Sequence, residues 1–358
     1  MVGLVESNDE RNINSANAND ICIQLKETKI MCTGLCFKAA DNNVLFGRNM
    51  DLAYEFNQQV IIMPEGYQYE DKVSGNMVTN KVPIIGMGTC IDNHVVYAEA
   101  MSIKGLACAG LNFARYAYFE PKSVEGKINL APYDFIQWVL SNFSTVEEAK
   151  EAIKGIELID APLNKDTPVA LLHWMISDKS GASIVVEKTK AGLKVYDNPV
   201  GVMTNDPTFD WHLTNLNEYL YLAPEHHQNV VWGEKELKAL GIGSGTLGIP
   251  GDFASVSRFV RIAYICTHTP KVEGANAISH VFNMLEYVKM VKGGVRTEDG
   301  REDNTLYSTC MDLENGIYYY RTRENSRVNA VSLKNADCTN GEPILFPYKN
   351  EQDFNYQN

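Results

Sequence analysis

No long run of lysine or arginine, no apolar stretch of membrane-spanning length and no CxxC pair occurs in this chain of 358 residues. Each absence removes a class of function. Acidic residues outnumber basic ones 45 to 32, a formal net charge of −13, and a phosphate backbone needs a concentrated basic face, so no nucleic-acid partner is expected. An anionic small molecule would have to be held by local arginines against the overall field. Spanning a bilayer takes about 20 apolar residues, and none are gathered in that number. The opening residues, MVGLVESNDERNINSANAND, lack the basic start and apolar segment of a secretory signal. A cytoplasmic protein is expected. Eight cysteines without close pairing fit neither a disulfide framework nor a zinc ribbon. Cys32 and Cys36 share one face of a strand by their even spacing, but no second pair or His-x-x-x-His completes a metal site. Neither metal nor cofactor is expected.

What is present reads as a folded enzyme-sized domain behind a polar extension. Residues 1 to about 28 are rich in Asn, Asp, Glu and Ser, so residues 1–31 are expected to be a flexible extension, and 32–350 a single domain. CTGLCFKA and VLFGRNMDL flank an Asp41-Asn42-Asn43 turn and predict a hairpin. The same strand–turn–strand grammar recurs from LLHWMISD through ASIVVEKT to LKVYD, and again in TLYSTCMDL, Glu314-Asn315-Gly316, IYYYRT. YDFIQWVLSNF and residues 277–291 carry apolar residues at helical spacing, and Ser144 with Glu147 predicts a capping box for VEEAKEAIKG. Grouped hairpins with intervening helices predict an α+β layered fold rather than βαβ repeats.

The first hairpin gathers reactive groups by local geometry alone. A turn centred near Asn42 sets Cys32 opposite Leu52, beside Asp51, with Arg48 a few residues along the same strand. A thiol attacks an amide only as thiolate, which a neighbouring guanidinium favours. No histidine is near in sequence to act as base, as in papain-like enzymes. The other available base is an α-amine on the nucleophile itself, whose ordinary pKa of roughly 7.7–8 suits proton exchange near neutrality. That requires Cys32 to become the first residue, and Met31 stands immediately before it. Read alone, Met31-Cys32 is also an ordinary strand entry. One further motif, Gly243, Gly245 and Gly248 in G-x-G-x-x-G spacing, lacks the strand-to-helix context of a dinucleotide site and reads as a glycine loop.

MCTGLCFKAADNNVLFGRNMD resembles the opening of the choloylglycine hydrolase family, which includes bile salt hydrolases and penicillin V acylases. KGLACAGLNF (104–113), LLHWMISD (171–178), VMTNDPTFDWH (202–212) and GIPGDFASVSRFVR (248–261) resemble the same family in the same order. The resemblance implies a four-layer αββα sandwich of two antiparallel sheets flanked by helices, often assembled as a homotetramer. It implies that Cys32 is the nucleophile and its amine the base, with Arg48 and Asp51 tuning that terminus, Asn112 and Asn205 at the oxyanion-hole positions, and Arg258 the remaining active-site arginine. Taken singly, the two asparagines read as turn residues, Arg258 as a surface ion-pair residue and Asp51 as a strand-end cap. Only their joint agreement with one pattern changes that.

The implied reaction is hydrolysis of glycine- or taurine-conjugated bile salts through a Cys32 thioester, with Met50, Ala98 and Leu172 at matched pocket positions. Penicillin V acylases often carry Tyr where this chain has Asn112, which favours bile salts. The alternatives are a penicillin V acylase or other N-acyl amidase, an unprocessed amphiphile-binding protein, and a papain-like hydrolase. Ala114 stands where many relatives have Pro, which is expected to loosen the Asn112 loop modestly.

Overall fold

Two large antiparallel sheets lie face to face, each with helices on its outer side, in a computed structural model that describes residues 31–165, 167–336 and 341–358. Of the extension expected at residues 1–31, residues 1–30 lie outside the described residues and Met31 is the first residue of β1. The six-stranded sheet runs Val202–Met203, β1 (Met31–Lys38), β2 (Val44–Asp51), Thr305–Asp312, Ile317–Thr322, Asn329–Ser332. The eight-stranded sheet runs Gly192–Asp197, Ser183–Thr189, Leu172–Asp178, Leu106–Asn112, His94–Ser102, Ile84–Ile91, Gln59–Met63, Ile344–Phe346. Helices Ser255–His268 and Gly274–Glu286 cover the first sheet, and Phe135–Asn142 and Val146–Ile153 cover the second. This is the expected αββα sandwich.

Burial on both faces explains why the central strands do not alternate apolar and polar. Every residue of β2 is buried, so its polar members need partners within the fold. Asn49 donates to the Leu285 carbonyl at 2.8 Å and accepts from the Ser308 hydroxyl at 2.6 Å. Gly47 lets the outer helix approach, because a Cβ there would meet Val281 Cγ1 at 2.7 Å.

The first hairpin forms as expected, but its register is displaced. A five-residue connection, Ala39–Asn43, places Cys32 opposite Met50 rather than Leu52, and Met31 opposite Asp51. The turn closes with Ala39 N–H donating to the Asn43 carbonyl at 2.8 Å and Asn42 at φ 68°. A displacement of two residues preserves facing. Cys32, Arg48 and Met50 therefore share the face between the sheets, and Asp51 belongs to the opposite face. Asp41 also accepts from Gly274 N–H at 3.0 Å, tying the turn to the start of the helix that packs over β2.

Other boundaries shift for local reasons. The helix is capped by Thr145 rather than Ser144: Glu148 N–H donates to Thr145 Oγ1 at 3.2 Å, while Glu148 Oε2 accepts from Ser144 N–H at 2.8 Å, one residue before the cap. Starting one residue later puts Val146, Ala149 and Ile153 on the buried stripe. The helix expected at 277–291 spans Gly274–Glu286. At the glycine motif, Ser244–Thr246 forms a short 3-10 turn that gives way to extended backbone at Leu247. Gly245 sits where a Cβ would strike the Glu225 and Ala223 carbonyls at 2.1 and 2.3 Å, so its glycine serves close backbone approach.

Candidate active site

Cys32 is fully buried on β1 and lines a cavity of about 640 Å³. Arg48, Met50, Ala98, Asn112 and Leu172 line the same cavity. Arg48 Nη2 donates to Cys32 Sγ at 3.0 Å, and Met50 Sδ lies 3.9 Å from that sulfur. The arginine lowers the thiol pKa as the sequence suggests, but burial outweighs it and pushes the Cys32 thiol up. A buried thiol in this state needs a base to become nucleophilic.

The other three candidates, Asp51, Asn205 and Arg258, are not among the residues that line the cavity, and the last two bond to the Cys32 backbone. Cys32 N–H donates to Asn205 Oδ1 at 2.9 Å, and Asn205 Nδ2 donates to the Asn112 carbonyl at 2.9 Å. Arg258 reaches in from its helix and is fully buried. Its Nη1 donates to the Cys32 carbonyl at 2.6 Å and Thr33 Oγ1 at 2.7 Å, while Nη2 donates to Asn205 Oδ1 at 2.6 Å. Arg258 is thus an interior clamp, not the surface residue its helix suggests when read alone. Among the described residues, the side chains that hydrogen-bond to Cys32 are those of Arg48, Met50, Asn205 and Arg258, and none is a histidine.

Asp51 accepts from the Thr305 hydroxyl through Oδ1, while its Oδ2 is buried without a hydrogen-bond partner among the described residues. Burial pushes its carboxyl up to about 6, against the pull of Arg258, Thr305 and Arg48. Asp303 is pushed up to about 7, by burial and then by the charge of Asp51. A carboxyl raised in the folded state holds its proton where the unfolded chain has released it. Its stabilising contribution is therefore complete below about pH 4 and lost as pH rises towards about 7. Urea denaturation across that window is expected to show stability falling with pH, and Asp303→Asn to flatten the upper part of the slope. An unchanged slope in the variant would remove Asp303 as its source.

Several residues that hold the site carry no motif of their own. His173 bridges Glu187 Oε1 at 3.1 Å and the Thr204 carbonyl at 3.0 Å, and Phe209 N–H donates to the same Glu187 oxygen at 3.0 Å. His212, driven down to about 4 by burial and hence a neutral ring, contacts the Asn205 carbonyl at 2.9 Å. Together with Ser255 Oγ, which accepts from Asn205 N–H at 2.9 Å, these groups fix the loop that presents Asn205. The one signal in the sequence is a polar residue inside a buried strand, as His173 is in LLHWMISD. Among the described residues, no group of three or more His, Cys, Asp or Glu is placed to hold a metal ion. No described helix is long and apolar enough to cross a membrane.

Two antiparallel sheets packed face to face between helices are the fold of N-terminal-nucleophile hydrolases, and Cys32 is the second residue of one of the inner strands. The family model for linear amide C–N hydrolases, choloylglycine hydrolase family, matches residues 32–346, and the chain belongs to that family. It is 43% identical over 329 residues to a bile salt hydrolase/transferase of Clostridium perfringens, covering 92% of this chain and 100% of that one. A bile salt hydrolase/transferase of Lactiplantibacillus plantarum is 38% identical, covering 90% and 99%. A solved structure of a mutant conjugated bile acid hydrolase from Clostridium perfringens superposes with a TM-score of 0.87 at 42% identity, covering 91% of this chain and 100% of that one. The protein is an enzyme of linear amide C–N hydrolysis.

Proposed function

We propose that this enzyme hydrolyses glycine- or taurine-conjugated bile salts, with Cys32 as nucleophile and the Cys32 α-amine as general base. The carrying observation is that Cys32 lines the cavity with its Sγ 3.0 Å from Arg48 Nη2. The working enzyme is the domain 32–350, exposed either by translation from Met31 and loss of that methionine or by removal of residues 1–31. The start of the family match at Cys32 supports this.

In this reading the freed amine takes the thiol proton and Sγ attacks the amide carbonyl. Asn112 and Asn205 donate to the developing oxyanion, contacts each worth about 10²–10³ in rate. The C–N bond then breaks, the amine returns the proton to departing glycine or taurine, and water hydrolyses the thioester. Met50, Ala98 and Leu172 line the apolar trough for the steroid, whose volume falls in the usual range for small-molecule sites. Asp51, with one buried oxygen unpartnered, receives the new ammonium. Six relatives carry bile salt or conjugated bile acid hydrolase names, which supports the substrate class.

The test combines N-terminal sequencing of the purified active protein with hydrolysis of glycocholate, taurocholate and penicillin V side by side. A first residue of Cys32 and turnover of the cholates support the proposal. Activity with Met31 still attached removes the base, a preference for penicillin V makes the enzyme an acylase of that kind, and an inert unprocessed chain makes it an amphiphile binder.

We place the reaction in the cytoplasm, since the six described cysteines are all free thiols, and cell fractionation tests this. We also propose homotetramer assembly. Leu220, Trp232, Leu240, Ile242 and Leu247 expose apolar side chains within one segment, a concentration that marks contact surfaces. Paired Leu240→Asp and Ile242→Asp substitutions are expected to lower the mass seen by light scattering, and an unchanged mass would exclude this segment from the contact.

A further inference from the structure

Arg48 spends more hydrogen bonds elsewhere than on the sulfur, and one of its partners carries charge. Glu99 is fully buried on the His94–Ser102 strand of the eight-stranded sheet. It crosses the space between the sheets to reach three side chains of the other sheet. Its Oε2 accepts from Arg48 Nη1 at 2.6 Å and from the Tyr307 hydroxyl at 3.3 Å, and its Oε1 accepts from the Tyr318 hydroxyl at 2.6 Å. Arg48 Nη1 also donates to the Ala98 carbonyl at 2.7 Å, which commits both of its hydrogens to the eight-stranded sheet. Nη2 is left for Cys32 Sγ at 3.0 Å and Met50 Sδ at 3.4 Å.

A buried ion pair is a poor source of stability, because well-packed apolar residues of similar volume do as well or better. Packing alone therefore gives no reason for a carboxylate at position 99. Its location does: it is an anion competing with the Cys32 thiolate for one guanidinium. We propose that Glu99 is a positioning residue of the acyl-transfer site, clamping Arg48 so that Nη2 stays on the sulfur and sharing its charge so that Cys32 stays a thiol until its base acts.

The groups around Cys32 allow this role to be separated from theirs. Arg48 and Asp51 act from β2, Tyr307 from the neighbouring strand, Arg258 from the outer helix and Glu99 from the opposing sheet through Arg48. Glu99 is the carboxylate bonded to Arg48. Burial pushes its carboxyl up, and Arg48, Tyr318 and Tyr307 pull it back down in part. The inference rests on Cys32 as nucleophile and is independent of which amide is cleaved.

The experiment is the pH dependence of iodoacetamide alkylation at Cys32 in the purified enzyme, followed peptide by peptide by mass spectrometry. In Glu99→Gln the uncompensated guanidinium draws the nearest ionisable group, and the alkylation midpoint is expected to fall by about one pH unit. Tyr318→Phe, which removes a single hydroxyl, is expected to move it the same way by less. Glu99→Ala frees Arg48, and kcat is expected to fall about 10²-fold with KM little changed, as for a misplaced catalytic group. Midpoints for Glu99→Gln and Tyr318→Phe that superpose on the parent overturn the proposal. If Glu99→Gln does not fold, an unmoved Tyr318→Phe midpoint overturns it alone. Shifted midpoints in a protein that cleaves no conjugated bile salt support the role of Glu99 while sinking the substrate assignment.

Discussion

Cys32→Ala is expected to abolish measurable amide hydrolysis, with a loss of about 10⁴-fold or more in kcat, as when the nucleophile of an acyl-transfer site is removed. The side chain is small, fully buried and packed against Met50, so shortening it by one sulfur leaves the strand and the cavity in place. Binding of glycocholate, measured by calorimetry, is expected to stay within a few-fold of the parent. Cys32→Ser separates nucleophile from shape. A serine hydroxyl is nearly isosteric, and Arg48 Nη2 remains 3.0 Å away from that position. The hydroxyl is far harder to ionise, and burial already works against the anion here. Only trace turnover is expected from it. Initial rates for both variants at matched pH decide the matter: parental turnover from either one ends the assignment of Cys32 as nucleophile.

The part of this site written within one hairpin is legible in the amino-acid sequence alone. Cys32, Arg48 and Asp51 sit on strands joined by a short turn, so local pairing is enough to bring them together. The register differs by two residues because turn length is set by the left-handed Asn42, a conformation that Asp41-Asn42-Asn43 permits at more than one position. Arg258 and Asn205 are legible only through resemblance. Their contacts with Cys32 span 226 and 173 residues, and nothing in SVSRFVR shows that an arginine on the buried face of a helix has a carbonyl and an amide oxygen waiting for it. Glu99 escapes a sequence reading for the same reason. Its partners come from three strands of the other sheet, and YAEAMS alone reads as a strand with one stray charge.

Arg258→Met is expected to damage stability and catalysis together, by a route the other site residues do not share. The guanidinium donates to the Phe253 and Cys32 carbonyls, to Thr33 Oγ1 and to Asn205 Oδ1, all inside the protein. Methionine fills much of the volume and satisfies none of these acceptors. It also withdraws the largest influence opposing the rise of the Asp51 carboxyl, which then sits still higher than about 6 and holds its proton further into the neutral range. Leaving buried acceptors and a buried carboxyl without their cation costs about 3 kcal/mol or more, seen as a lower urea midpoint and a melting temperature reduced by several degrees. The same substitution frees Asn205, so kcat is expected to drop at pH 6 more than at pH 8, where Asp51 is ionised in either protein. Arg258→Lys keeps a positive charge but not the three-pronged reach, and is expected to restore much of the pH profile while leaving the stability loss largely in place. Equal urea midpoints for the lysine variant and the parent would mean that charge, and not the fork of hydrogen bonds joining the helix to Cys32 and Asn205, is what Arg258 contributes.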